Sequence, residues 1–129
     1  MLRILIKDDY IIYRKGLSAT LKEHFPDAII TEAGDSKTFF AILNDEEWDI
    51  VIMDVMWMDT LSINILKKVR QMLPATPVVA MTLSSNLLFT RAVTGAGADM
   101  CLNKNCSLAE LSTALEKMII AYKPVGFHF

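Results

Sequence analysis

Short apolar, β-branched runs alternate along the whole chain with stretches whose apolar residues recur every three or four positions. That alternation marks a parallel sheet whose strands are joined by crossover helices, and five strand–helix units can be counted. The first strand, Leu2 to Ile6, is almost continuously apolar, as suits a central strand covered on both faces. Asp8 and Asp9 end it. A helix from about Ile11 to His24 follows, with Tyr13, Leu17, Leu21 and Phe25 in one stripe and Pro26 closing it. The second strand is Ala28 to Thr31, and Gly34, Asp35 and Ser36 turn the chain into a helix carrying Phe39, Phe40, Ile42 and Leu43.

The third strand, Asp49 to Met53, ends at Asp54, and the helix after it runs from about Ser62 to Met72 with Ile65, Leu66 and Val69 inward. Pro74 and Pro77 bracket the turn into the fourth strand, Val78 to Met81, with Thr82 at its carboxyl end. A fourth helix spans Asn86 to Thr94, stopped by Gly95 and Gly97. The fifth strand covers Asp99 to Asn103, and Lys104 lies just beyond. Ser107 and Glu110 form the S-x-x-E arrangement that opens the last helix, whose apolar face is Leu108, Leu111, Leu115, Met118, Ile119 and Tyr122. Residues 1–122 thus read as one domain, and 123–129 as a tail or the start of a linker.

Composition narrows the class without choosing a function. A chain of 129 residues that is 53% hydrophobic can bury a single core, and no apolar run approaches the roughly 20 residues that cross a bilayer. No secretory leader pattern follows Met1, so a cytoplasmic location is expected. The net charge of −2 lacks the basic footprint of a nucleic-acid binder, which leaves DNA contact to some other domain. Cys101 and Cys106, with only His24 and His128 as further soft ligands, do not have zinc-site spacing and read as inert thiols. The methionines are gap-fillers rather than a copper or redox site.

The candidate chemistry lies at the strand ends. Asp8 and Asp9, Asp54, Thr82 and Lys104 all follow the carboxyl ends of strands, where open parallel α/β sheets bind their ligands, so they are expected to converge on one crevice. Three carboxylates held together repel one another unless a cation joins them, and an all-oxygen ligand set with room for water suits Mg²⁺. Lys104 and the Thr82 hydroxyl would add a charge and a donor for phosphate oxygens, which makes phosphoryl transfer to Asp54 the fitting reaction. A buried, unpartnered aspartate at position 54 would otherwise cost several kcal/mol. The chain carries no G-x-x-x-x-G-K-[ST] loop, G-x-G-x-x-G turn or G-x-S-x-G elbow.

An acidic pair, an aspartate, a Thr 28 positions after that aspartate and a Lys 50 positions after it make a specific combination. Through it the chain resembles the response-regulator receiver domain, the CheY-like fold, over essentially its whole length. The resemblance implies a doubly wound, flavodoxin-like (βα)5 sheet of strand order 2-1-3-4-5. It implies Asp54 as phosphoacceptor, Mg²⁺ held by Asp8 or Asp9 with Asp54 and the carbonyl of Met56, and Thr82 and Lys104 on the phosphoryl group. It also implies a sensor histidine kinase as donor, self-catalysed phosphorylation and slow dephosphorylation, and a phosphorylation-dependent homodimer. Arg14-Lys15-Gly16-Leu17 after the acidic pair, and later Ala96-Gly97-Ala98, are similar to the NarL/FixJ subfamily of transcription regulators, whose receivers precede a helix-turn-helix domain. No such output domain is present in these residues.

The chain departs from the family pattern at several positions. Met58 and Ser62 replace the usual Pro and Gly after the phosphoacceptor, so that loop is expected to take another path or to move more. Tyr10 and Ile11 replace the usual His and Pro. Cys101 stands where the family has the aromatic that swings inward with the Thr, which puts that coupling in question. Trp57 and Met58, beside the site, suit either a partner-docking patch or a local lid. Two rival readings follow: a degenerate receiver that serves as a phosphorylation-independent dimerisation or interaction module, and an aspartyl-phosphate hydrolase of the haloacid dehalogenase type. The second rival needs another catalytic Asp two residues after the first, where this chain has Met56.

Overall fold

The computed structural model describes residues 1–57 and 59–122, with Tyr122 described by its backbone alone. Met58, Lys123 to Phe129 and the Tyr122 side chain therefore lie outside the described residues, and with them the sequence readings placed there. Five strands and five helices alternate: β1 (Arg3–Lys7), α1 (Ile11–His24), β2 (Ile29–Ala33), α2 (Ser36–Leu43), β3 (Ile50–Asp54), α3 (Thr60–Met72), β4 (Val78–Thr82), α4 (Leu87–Gly95), β5 (Met100–Asn103) and α5 (Leu108–Tyr122). The strands are all parallel and lie in the order β2-β1-β3-β4-β5, as the resemblance implied.

Strand alternation sorts the apolar residues into two layers. On one face Ile4, Ile6, Ile50, Ile52, Val79 and Met81 pack against Leu17 and Leu21 of α1 and Leu111, Leu115 and Ile119 of α5. On the other, Leu5, Val51, Met53, Val78 and Ala80 meet α2 through Phe39 and Leu43, α3 through Leu66 and Val69, and α4 through Phe89 and Val93. Each fully buried Leu, Ile or Phe here contributes about 1.5–3 kcal/mol of transfer free energy. Side chains fix where the helices start. Asp35 accepts from Thr38 N at 2.7 Å, Asp59 from Leu61 N at 3.0 Å, Asn86 from Phe89 N at 3.0 Å and Ser107 from Glu110 N at 3.1 Å. The Asp59 cap is why α3 begins at Thr60, two residues before the start that the sequence suggested at Ser62.

One-residue differences at strand ends have chemical consequences. The sequence ended the first strand at Ile6, but parallel pairing with Ala33 on one side and Met53 on the other carries β1 through Lys7, which is only 6% exposed. Asp54 and Thr82 are likewise the last paired residues of β3 and β4 rather than the first of their loops. In α5, Leu108 faces outward instead of joining the apolar face, at 61% exposure. Gly97 turns the chain after α4 at φ +128°, where a Cβ would come within 2.8 Å of Arg70 Cβ. Arg70 fills that space, donating to the carbonyls of Gly97, Leu73 and Thr76 and pairing with Asp99 at 2.6 Å, so the end of α3 is tied to the starts of β4 and β5.

Candidate functional site

The carboxyl ends of β1, β3, β4 and β5 bring Asp8, Asp54, Thr82 and Lys104 to one rim of the sheet. Lys104 is the hub. Its Nζ lies 2.7 Å from Asp8 Oδ2 and 2.9 Å from Asp54 Oδ1, and the three side chains are 4%, 3% and 8% exposed respectively. The backbone supports this placement, because Lys104 N donates to the Thr82 carbonyl at 2.8 Å as β5 leaves the sheet. Two aromatic faces complete the surroundings of the ammonium, Tyr13 at 4.5 Å and Tyr10 at 5.1 Å from the ring centroids.

Charge is unbalanced at this cluster, since two carboxylates share one ammonium. Burial raises the Asp54 carboxyl above its ordinary range and the negative charge of Asp8 adds to that rise, while the Lys104 hydrogen bond pulls against both. For Lys104, burial is the largest single influence and would lower its pKa, but the hydrogen bonds and charges of Asp8 and Asp54 together outweigh it and the ammonium is held above its ordinary value. Tyr13 is pushed up to about 12 by burial first, then by Cys106, Asp8 and Asp54, so it stays a neutral phenol beside the charged group.

Asp8 and Asp9 part company. Asp8 turns inward, its Oδ1 accepting from Tyr10 N at 2.9 Å, whereas the Asp9 side chain is 62% exposed and its Oδ1 lies 3.3 Å from Lys7 Nζ. Among the described residues no three acidic, histidine or cysteine side chains are grouped closely enough to hold a metal as they stand. The donors within reach are nonetheless all hard oxygens, and Asp8 and Asp54 are short of one positive charge, which fits a divalent cation such as Mg²⁺.

Thr82 is 1% exposed, and its Oγ1 accepts from Ser84 N at 3.1 Å, which leaves the hydroxyl hydrogen available. A cleft of about 200 Å³ opens beside Asp54, walled by Met56, Trp57, Thr82, Ser84 and Lys104. A larger groove of about 320 Å³ between α1 and α5 shares Lys104 with this cleft, but its other walls, Tyr13 among them, are mostly apolar and neither carboxylate lines it.

The loop after Asp54 is stitched by the residue that replaces glycine. Ser62 Oγ accepts from Met56 N at 3.3 Å and donates to Asp59 Oδ2 at 3.0 Å, and the Met56 carbonyl accepts from Asp59 N at 3.2 Å. Trp57 is half exposed and sets its ring edge-on to Phe89 of α4 at 5.2 Å, linking this loop to the fourth helix. Cys101 pairs in register with Ala80 and packs against the layer beneath α4, its thiol pushed up by burial.

Three contributors escaped the sequence reading. Lys7 drew no functional reading from the sequence, Tyr10 stood as a departure from a family pattern and Tyr13 as one of a core stripe. A signal was present in each case: a lysine directly after three apolar strand residues, and two aromatics three apart where α1 begins.

Comparison with known proteins agrees with this architecture. A sequence model of the response regulator receiver domain matches residues 4–116. The probable transcriptional regulatory protein TcrX of Mycobacterium tuberculosis is 28% identical over 116 residues, which are 90% of this chain and 49% of the relative, so the chain spans about half the length of that protein. Among solved structures, a CheY-like response regulator receiver domain protein from Methanospirillum hungatei superposes with a TM-score of 0.84 at 20% identity, covering 98% of this chain and 99% of the other. A LuxR family DNA-binding response regulator from Silicibacter pomeroyi gives 0.80 at 24% identity, covering 94% and 93%. A response regulator from Burkholderia pseudomallei, solved with a phosphorylated aspartic acid, calcium ion and citrate, gives 0.79 at 14% identity, covering 96% and 72%.

Proposed function

This chain belongs to the response regulator receiver domain family of two-component systems, and on that footing we propose that it is a phosphorylation switch whose acceptor is Asp54. The observation that carries the reading is the buried triad at the sheet rim, with the Asp54 carboxylate at the mouth of a cleft and Lys104 bonded to it and to Asp8. The donor is a phosphohistidine on a sensor kinase. Its P–N bond breaks, with the electron pair leaving on the imidazole nitrogen, as a carboxylate oxygen of Asp54 forms the new P–O bond.

Asp8, Asp9, Asp54 and the Met56 carbonyl are the groups that would hold Mg²⁺, which when bound neutralises charge on the carboxylates and the phosphoryl oxygens. The chain's own residues do the rest. Lys104 offers its ammonium to a phosphoryl oxygen from a position already fixed by two carboxylates and two rings. Thr82 donates its hydroxyl hydrogen to a second oxygen. Trp57 and Met56 shield one side of the cleft from water.

The names of two similar proteins support a role in a transcription regulator, in which phosphorylation changes self-association and frees or pairs a DNA-binding domain. TcrX is described as a transcriptional regulatory protein, and the Silicibacter protein as DNA-binding. The degenerate-receiver reading draws on one observation, the small thiol of Cys101 where the family has its moving aromatic.

Incubation with a small phosphodonor and Mg²⁺, followed by intact-mass measurement, tests the proposal. One phosphoryl group per chain is expected, with none in Asp54→Asn. Undiminished labelling of the Asp54→Asn protein would overturn the assignment. No labelling of the parent protein, together with an unchanged sedimentation coefficient, would favour the interaction-module reading.

A further inference from the structure

Lys7 is a buried charged residue beside the site that the proposed chemistry leaves unused. It ends β1 between Ala33 and Met53, and its side chain is 7% exposed. Moving an ammonium out of water costs several kcal/mol unless an acceptor compensates. Among the described residues the acceptor within reach is Asp9, at 3.3 Å, and Asp9 is the acid that is exposed and not bonded to Lys104. Lys7 also lies close enough to Asp54 for its charge to be felt there, where it favours the ionised carboxylate.

We propose that Lys7 is a tethered cation that competes with the divalent metal for Asp9, so that the Lys7–Asp9 ion pair sets the metal affinity of this site from within. The inference rests on the reading above that Asp8, Asp9 and Asp54 hold the metal. Three carboxylates draw a divalent ion strongly, but two buried ammoniums, Lys7 and Lys104, already offset two of those charges. For Asp9 to reach a metal it must first leave Lys7, whose buried end then loses its acceptor. A neutral side chain of similar length removes that penalty, because no ion pair then has to be broken.

The test is Mg²⁺ binding to the full chain, by calorimetry and by Trp57 fluorescence, which reports from the cleft wall without any phosphodonor. The proteins compared are the parent, Lys7→Met, Lys7→Gln, Asp8→Asn, Asp9→Asn and Lys7→Met/Asp9→Asn. Circular dichroism confirms folding, and the glutamine variant carries the test if the methionine variant folds poorly. Removing the ammonium should tighten Mg²⁺ binding roughly tenfold, given an effective dielectric constant of about 20 near such sites. That gain should shrink to less than about twofold in the Asp9→Asn background, because the competition runs through Asp9. Affinities in Lys7→Met and Lys7→Gln equal to or weaker than the parent's, with Asp8→Asn still losing the ion, would overturn the proposal and leave the metal site standing. A full gain persisting without Asp9 would also overturn it, since the effect would then be long-range repulsion alone. Absence of binding in every protein, or equal binding in the parent and Asp8→Asn, would instead sink the metal reading itself, and this inference with it.

Discussion

Replacing Lys104 by Met removes the single positive charge that two buried carboxylates share, and the cost can be worked from the geometry. The ammonium sits 2.7 Å from Asp8 and 2.9 Å from Asp54, and none of the three side chains exceeds 8% exposure. Breaking a buried ion pair from one side costs about 3–5 kcal/mol. The lower end applies here, because Asp8 keeps the Tyr10 amide as a donor and Asp54, whose pKa is already raised, can take up a proton. A loss of about 3 kcal/mol is therefore expected at pH 7, or a fall in Tm of about 10 °C for a domain of this size. Urea unfolding in EDTA, followed by circular dichroism, measures it. The same reasoning fixes a second quantity, since Asp54→Asn should stabilise the Lys104→Met protein by more than it stabilises the parent, the excess being about 1–2 kcal/mol of coupling between the two sites. A loss below about 1 kcal/mol, or equal effects of Asp54→Asn in both backgrounds, would refute the claim that Lys104 is the charge that balances this pair.

Three further outcomes follow from the geometry. Asp54 is raised above its ordinary value of 3.8, so between that value and its folded pKa the native state binds more protons than the unfolded chain. Stability then falls as pH rises through that window, so Asp54→Asn should be more stable than the parent at pH 7, a gain that disappears below pH 3.8; equal unfolding midpoints at pH 7 would contradict this. Gly97→Ala puts a Cβ at φ +128° and 2.8 Å from Arg70 Cβ, and should cost about 2–3 kcal/mol by urea unfolding, with a loss under about 0.5 kcal/mol counting against the strain argument. Burial pushes the Cys101 thiol above its ordinary value of 9.0, so at pH 8 it should react with a disulfide reagent at least about tenfold more slowly than a free peptide thiol; a rate equal to that of the peptide would show the site to be open.

The sheet was legible because its strands are covered on both faces, so they stand out as continuous apolar runs between amphipathic helices. The rim was legible because Asp54, Thr82 and Lys104 sit where an apolar run stops. The direction each acid faces was not legible. Neighbouring residues at a strand end point to opposite sides, so whether Asp8 or Asp9 turns inward depends on the residue at which pairing with β2 and β3 ends. The sequence ended β1 one residue early, which left Lys7 outside the strand when it is the last paired residue of β1 and buried. Tyr13 shows the same limit for helices, because a position on an apolar stripe does not tell whether the ring meets the core or, as here, an ammonium at the core's edge.

Ser62 and Cys101 depart from the family pattern, and the structure around each is internally consistent. The Ser62 hydroxyl, in the first turn of α3, bonds Met56 N and Asp59 Oδ2 of the preceding loop, so the conformational freedom of a glycine is exchanged for two side-chain hydrogen bonds. With a small thiol at position 101, a route from the site to α4 cannot depend on a ring there, but another set of contacts already spans that distance. Thr82 Oγ1 accepts from Ser84 N, Ser84 Oγ from Asn86 N, and Asn86 Oδ1 from Phe89 N, whose ring meets Trp57. Each link is a hydroxyl or amide oxygen on a backbone N–H, and the last one caps α4. A Thr82 hydroxyl that reoriented toward a phosphoryl oxygen would strain or break the bond from Ser84 N first. The cap of α4 is two links further on, so the helix start and the Trp57 ring beside it lie on a continuous chain of contacts from Thr82.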